Sequence, residues 1–105
     1  MKSPANNPST ASLTHQGEGR FTLTGDLNFQ TVPRLWQQGK DLFNGRQSVE
    51  VDLSGVAHCN SAGLALLIEW LRAARANNQS IAFRQLPTQM RDIARVCGVD
   101  NKLPT

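Results

Sequence analysis

No stretch of this 105-residue chain stays apolar for long. The longest uninterrupted run, Leu64 to Ile68, falls far short of the ~20 residues that cross a bilayer, so no direct membrane insertion is expected. The opening residues Met1-Lys2-Ser3-Pro4-Ala5-Asn6-Asn7-Pro8 lack a hydrophobic segment. No secretory signal is therefore expected, which points to the cytoplasm. Cysteine is scarce too: Cys59 and Cys97 show no pairing pattern. In a reducing compartment both read as small buried hydrophobes rather than a disulfide. His58 adjoins Cys59, but strand neighbours point to opposite faces and two further ligands are missing, which excludes a metal site. The sequence has no phosphate-cradling glycine loop followed by Lys and no inward carboxylate pair for acid–base chemistry. No cofactor is expected.

Charge is modest in amount and uneven in placement. Residues 1–60 carry five Lys/Arg and five Asp/Glu, which cancel, whereas residues 61–105 carry six basic and three acidic residues. Arg72, Arg75, Arg84, Arg91 and Arg95 supply most of the +3 excess. They read first as a solvated helix surface and second as a docking face for an acidic partner. Aromatic residues do not interleave with them and no nucleic-acid motif occurs, so nucleic acid is not expected as a partner.

Length allows one domain, which at this size buries roughly two-thirds of its unfolded surface. Residues 1–11, rich in Ser, Pro, Asn, Ala and Thr, read as a disordered tail, leaving residues 12–105 as the domain. Leu13 to Gln16 reads as a weak strand turned by Gly17-Glu18-Gly19 into Arg20–Thr24, whose alternation predicts one buried face. Gly25-Asp26 ends that hairpin. Thr31-Val32-Pro33 predicts a helix start with Thr31 as cap. Val32, Leu35, Trp36, Gly39, Leu42 and Phe43 follow at helical spacing, with Trp36 read first as filling the core between helix and sheet and second as an exposed partner-binding residue. Ser48–Leu53 is the next strand. A second helix spans about Ser61 to Ala76, a strand covers Ser80–Arg84, and Pro87 opens a last helix with Leu86, Met90, Ile93, Ala94 and Cys97 inward. Strands alternating with helices after a hairpin predict an α/β fold, a mixed sheet of about four strands with helices packed on it.

Placed at 100° intervals, Leu64, Leu67, Ile68, Leu71 and Ala74 of the second helix form the sheet-facing arc, with Ala65, Glu69, Arg72 and Ala76 opposite. Ala62, Leu66, Trp70 and Ala73 fall on the boundary. They either tuck against a neighbouring element or form a partner-binding stripe that starts at Ser61.

The junction Asn60-Ser61-Ala62-Gly63 sets a hydroxyl at a helix N-terminus, where backbone N–H groups are unpaired and the dipole favours negative charge. Such a hydroxyl serves as a cap, a partner contact or a phosphorylation site. A hydrolase nucleophile is disfavoured. Cys59 stands where a nucleophile elbow requires Gly, and no acid in the sequence is placed to orient His58. The chain is not expected to be an enzyme.

Two motifs carry a resemblance over residues 12–103. One is Asn60-Ser61-Ala62-Gly63-Leu64-Ala65-Leu66-Leu67 entering the second helix. The other is Leu23-Thr24-Gly25-Asp26-Leu27 leading through Val32-Pro33-Arg34-Leu35-Trp36. Together they resemble the STAS domain, the fold of anti-sigma-factor antagonists, whose junction reads Asp-Ser-[Ser/Thr]-Gly-Leu. Within that family the chain is more similar to the MlaB-like branch, with its Asp-Thr-x-Gly-Leu-Ala-Leu-Leu junction and a Leu-Trp pair matching Leu35-Trp36. Members of that branch are cytoplasmic accessory subunits of the ABC transporter that moves phospholipids between the inner and outer membranes.

The resemblance implies a protein that binds the transporter's cytoplasmic ATPase and, through it, a membrane permease, and so lies peripheral to the inner membrane. The family's key hydroxyl falls on Ser61. Asn60, Ser61, Ala62, Leu66, Trp70, Arg72 and Ala73 would then face the partner. Where the phosphorylated antagonists carry Asp, this chain carries Asn60. That departure favours contact and capping over a phospho-switch at Ser61, the mark of the alternative function as an anti-sigma-factor antagonist.

Overall fold

In the computed structural model, which describes residues 11–104, strand alternation divides the sheet into two unlike faces. Strand β1 (Ala11–Gly17) turns back into β2 (Arg20–Leu27), which is followed by α1 (Val32–Phe43), β3 (Ser48–Cys59), α2 (Ser61–Ala76), β4 (Ser80–Arg84) and α3 (Thr88–Val96). A short 3-10 turn spans Asp100–Lys102. Phe21, Leu23, Val49, Val51, Leu53, Ile81 and Phe83 are buried on one face, while Arg20, Thr22, Thr24, Glu50, Asp52 and Ala82 between them are exposed or half-buried. The helices cover the buried face. Strand order is β1-β2-β3-β4, antiparallel for the first pair and parallel for the other two, so the sheet is mixed as expected. Two parallel neighbours each need a crossover, and α1 and α2 supply them.

Several boundaries differ from the sequence reading. Ala11 is not tail: it opens β1, pairs with Gly25 and is buried. The disordered tail expected before it falls on residues 1–10, which lie outside the described residues. Strand β2 runs through Gly25-Asp26 to Leu27. Strand β3 does not stop at Leu53 but continues to Cys59. Ser54-Gly55 falls where the register with β2 shifts between Thr22 and Thr24. There the Asp52 carboxylate accepts the Ser54 N–H at 2.8 Å, a local side-chain bond that compensates for the disturbed ladder.

Thr31 is not a side-chain cap of α1. It is buried, its hydroxyl donates to the Asp26 carbonyl at 2.8 Å, and the same oxygen accepts from the Asn28 N–H at 3.0 Å. Asn28 fills the turn instead, its Oδ1 accepting from the N–H groups of Gln30 and Thr31. Leu42, expected inward, is 36% exposed. Cys59 is buried, as expected, but Cys97 is exposed, because it stands at the C-cap of α3, beyond the last inward-facing turn. The arginines do not form one patch: Arg84 projects from β4 and pairs with Glu50 at 3.5 Å, whereas Arg72 and Arg95 pair within their own helices.

Candidate functional site

The carboxyl ends of β2 and β3 meet at one edge of the molecule, and the Asn60–Ser61 junction is built there. The Asn60 N–H donates to the Leu27 carbonyl at 3.2 Å, which fastens the junction to the end of β2. Asn60 has extended backbone angles and is the N-cap of α2, its Oδ1 accepting from the Ala62 N–H at 2.8 Å. Asn is among the best residues for this role because its side chain replaces a missing intrahelical acceptor. On the other side, the Cys59 N–H donates to Gln89 Oε1 at 3.2 Å. Strand β4 pairs with β3 only as far as Asp52, so a carboxamide from α3 takes the place of a strand partner. Gly63 sits where a Cβ would lie 2.9 Å from Leu27 Cβ, which lets α2 descend directly onto the strand ends.

With capping assigned to Asn60, the Ser61 hydroxyl is left free. Ser61 is exposed, and its side chain has no partner among the described residues. It stands at the first helical position, in the positive end of the α2 dipole. The charged neighbours are sparse. Asp26 Oδ1 lies 3.2 Å from Nδ1 of His58, an exposed contact. The sequence reading found no acid to orient His58, and the parallel pairing of Asp26 with His58 supplies one. No hydrogen bond joins His58 to Ser61 among the described residues, so the nucleophile–base link of a hydrolytic triad is not formed here. Among the described residues no cluster of His, Cys, Asp or Glu could hold a metal. Burial raises the Cys59 thiol above its ordinary value, consistent with an inert side chain under the junction.

The boundary stripe of α2 resolves differently from the partner-binding expectation. Ala62, Leu66 and Trp70 are 4%, 1% and 2% exposed, because α1 lies alongside α2 and covers them. Trp70 meets Phe43 edge-on, with centroids 5.2 Å apart, and Phe43 meets Phe21 at 4.9 Å. These three stripe residues belong to the core, although Leu66 and Trp70 also line surface clefts. Ala73 is half-buried and opens onto a cleft of about 740 Å³ between the far ends of the two helices. Arg72 is exposed, with its guanidinium 3.1 Å from the Glu69 carboxylate.

The surface left around Ser61 therefore consists of Asn60, Ser61, Ala65, Glu69 and Arg72. An apolar groove of about 240 Å³ adjoins it, lined by Val32, Pro33, Trp36, Ala65, Leu66 and Glu69. Trp36 is not in the interior between helix and sheet. It is half-buried in this groove, with Lys40 Nζ 5.5 Å from its ring centroid. Sequence reasoning missed the groove because helical spacing shows that a face is apolar without showing which neighbour covers it.

Comparison with known proteins adds a family to this geometry. The family described as "Mlab, STAS domain" matches residues 11–105. A protein of Haemophilus influenzae named intermembrane phospholipid transport system binding protein MlaB is 29% identical over 83 residues, 75% of this chain and 79% of that protein. An anti-sigma factor antagonist from Mycobacterium paratuberculosis shares the fold with a TM-score of 0.76 at 20% identity, over 92% of this chain and 86% of that one. A chain of the Acinetobacter MlaFEDB complex in an ATP-bound state superposes with a TM-score of 0.70 at 24% identity, over 80% and 90% of the two chains.

Proposed function

The chain belongs to the Mlab STAS-domain family, and from that premise we propose that it is a non-catalytic accessory subunit that binds the cytoplasmic ATPase of a phospholipid-transporting ABC complex and supports its assembly or activity. The observation that carries this reading is the free Ser61 hydroxyl, exposed at the start of α2 with its capping role already filled by Asn60. A hydroxyl that neither caps nor packs is available for contact. Ala65, Glu69 and Arg72 extend the same exposed face along α2, and the neighbouring apolar groove offers surface to bury. The relatives support the choice of partner, since one is named for phospholipid transport and another is a chain of a transporter complex. In this reading the domain reaches a membrane permease only through the ATPase, lies peripheral to the inner membrane, and needs no cofactor. No helix among the described residues is long and apolar enough to cross a membrane.

The test is affinity capture from native membranes with the tagged chain, followed by measurement of binding to the recovered ATPase. Ser61→Asp places a carboxylate at a helix N-terminus, which favours the fold by ~0.3–1 kcal/mol, so weaker binding by that variant reports on the interface. Capture of an ATPase with its permease, and binding at least about tenfold weaker for Ser61→Asp, is the expected result. Recovery of no ATPase overturns the proposal. The alternative, an anti-sigma-factor antagonist, draws support from the same free hydroxyl, because phosphate there would add about −1.5 to −2 charges. It requires a phosphorylated Ser61 after incubation with a partner kinase and ATP, and Asn60 leaves the site without the acidic neighbour of the phosphorylated antagonists.

A further inference from the structure

Phe29 is 71% exposed, one of three large apolar side chains among the described residues that the core does not take up. The other two stand elsewhere: Leu42 is at the far end of α1 and Val96 is at the end of α3. Phe29 lies two residues beyond Leu27, whose carbonyl receives the Asn60 N–H, so its loop and the Ser61 junction occupy the same edge.

The loop is held by its own bonds. Asn28 Oδ1 accepts from Gln30 and Thr31 at 2.9 and 3.0 Å, and the Thr31 hydroxyl ties Asn28 to the Asp26 carbonyl. Thr31 is only 3% exposed, so these bonds anchor the loop from below while the phenyl ring points away from the interior. An aromatic side chain presented on a loop already held by its own hydrogen bonds binds with a smaller ordering penalty than one on a mobile loop.

We propose that Phe29 is the anchor of the Ser61-centred interface, its ring entering an apolar pocket on the partner protein. The proposal rests on the accessory-subunit reading for the identity of that partner. A membrane is a poorer occupant: residues 26–31 and 57–61 hold Asp26 and no Lys or Arg, whereas interfacial binding draws on basic residues and several apolar ones. A second copy is also poorer, since one aromatic ring buries on the order of 150–250 Å² and a stable interface needs about 1,200 Å² or more. A lone aromatic on a hydrogen-bonded loop fits the pattern of a hot spot within a larger interface.

The experiment compares Phe29→Asp and Phe29→Leu in the full chain, with folding checked by circular dichroism. Affinity is measured against the ATPase that the wild-type chain captures. Phe29→Asp is expected to bind roughly thirtyfold more weakly, Phe29→Leu to fall between it and wild type, and neither to lower the unfolding temperature. Wild-type affinity in Phe29→Asp overturns the proposal. So does a change confined to flotation with phosphatidylethanolamine–phosphatidylglycerol vesicles, or to the sedimentation of the isolated chain. If the wild-type chain captures a soluble kinase instead, the accessory-subunit reading falls, and the same variants measured against that kinase decide whether Phe29 is the anchor.

Discussion

Asn60 and Ser61 are adjacent, both polar and both exposed, yet the hydrogen bonding gives them different duties. Asn60 closes the α2 terminus through the Ala62 N–H, and Ser61 has no such bond. Asn60→Ala should therefore lower stability by about 1 kcal/mol, the usual loss for a missing N-cap. Ser61→Ala should stay within about 0.5 kcal/mol of wild type, as exposed positions do. Urea denaturation of both variants checks this, and equal losses would mean that the capping duty is shared. The two cysteines separate in the same way. Cys59 is buried, which raises its thiol above the ordinary value, and Cys97 is exposed. A thiol reagent near neutral pH should label Cys97 quickly and Cys59 only when the domain opens, and mass spectrometry of the singly labelled chain would identify the site.

Among the elements, the α1–α2 contact is where a small change should have a large effect. Gly39 faces Trp70, and a Cβ built on it would lie 2.3 Å from the indole Nε1, so α1 approaches α2 through a missing side chain. Gly39→Ala raises helix propensity and yet should destabilise the domain by about 1–3 kcal/mol through overpacking. A rise in thermal stability would show that the helices part without penalty. This contact also explains what was legible in the sequence. The 3.6-residue period announced α2 and its sheet-facing arc, and the motif announced the junction, because both are local patterns. Whether Leu66 and Trp70 would be buried depended on the path of α1, which no local pattern records. The length of β3 was hidden for a related reason. The strand continues through Ser54-Gly55 because β2 is laid beside it and Asp52 takes up the Ser54 N–H.

For the molecule as a whole, a four-stranded sheet has two edges, and an open edge invites pairing with another chain. At the β4 edge the chain answers this with its own last residues. Leu103 is 6% exposed and packs into the core, and the Phe83 N–H donates to the Pro104 carbonyl at 2.7 Å. The segment after the 3-10 turn thus serves as a short strap along β4, whose Ile81 and Phe83 are buried. A variant ending at Lys102 loses a buried leucine, comparable to the ~2–5 kcal/mol of a Leu→Ala change, and also the acceptor for a buried strand N–H. At ~4–8 °C per kcal/mol for a domain near this size, its unfolding temperature should fall by roughly 10 °C or more. The freed edge should also promote self-association, visible as early elution in size-exclusion chromatography. Phe83 is level with Val51 on β3, well before Cys59 and the Ser61 surface at the carboxyl end of that strand, so partner binding measured well below the unfolding temperature should change little. A variant that keeps its thermal stability would show that the strap adds nothing to the edge. One that stays folded but loses the partner would mean that the strap, and not only the junction, touches it.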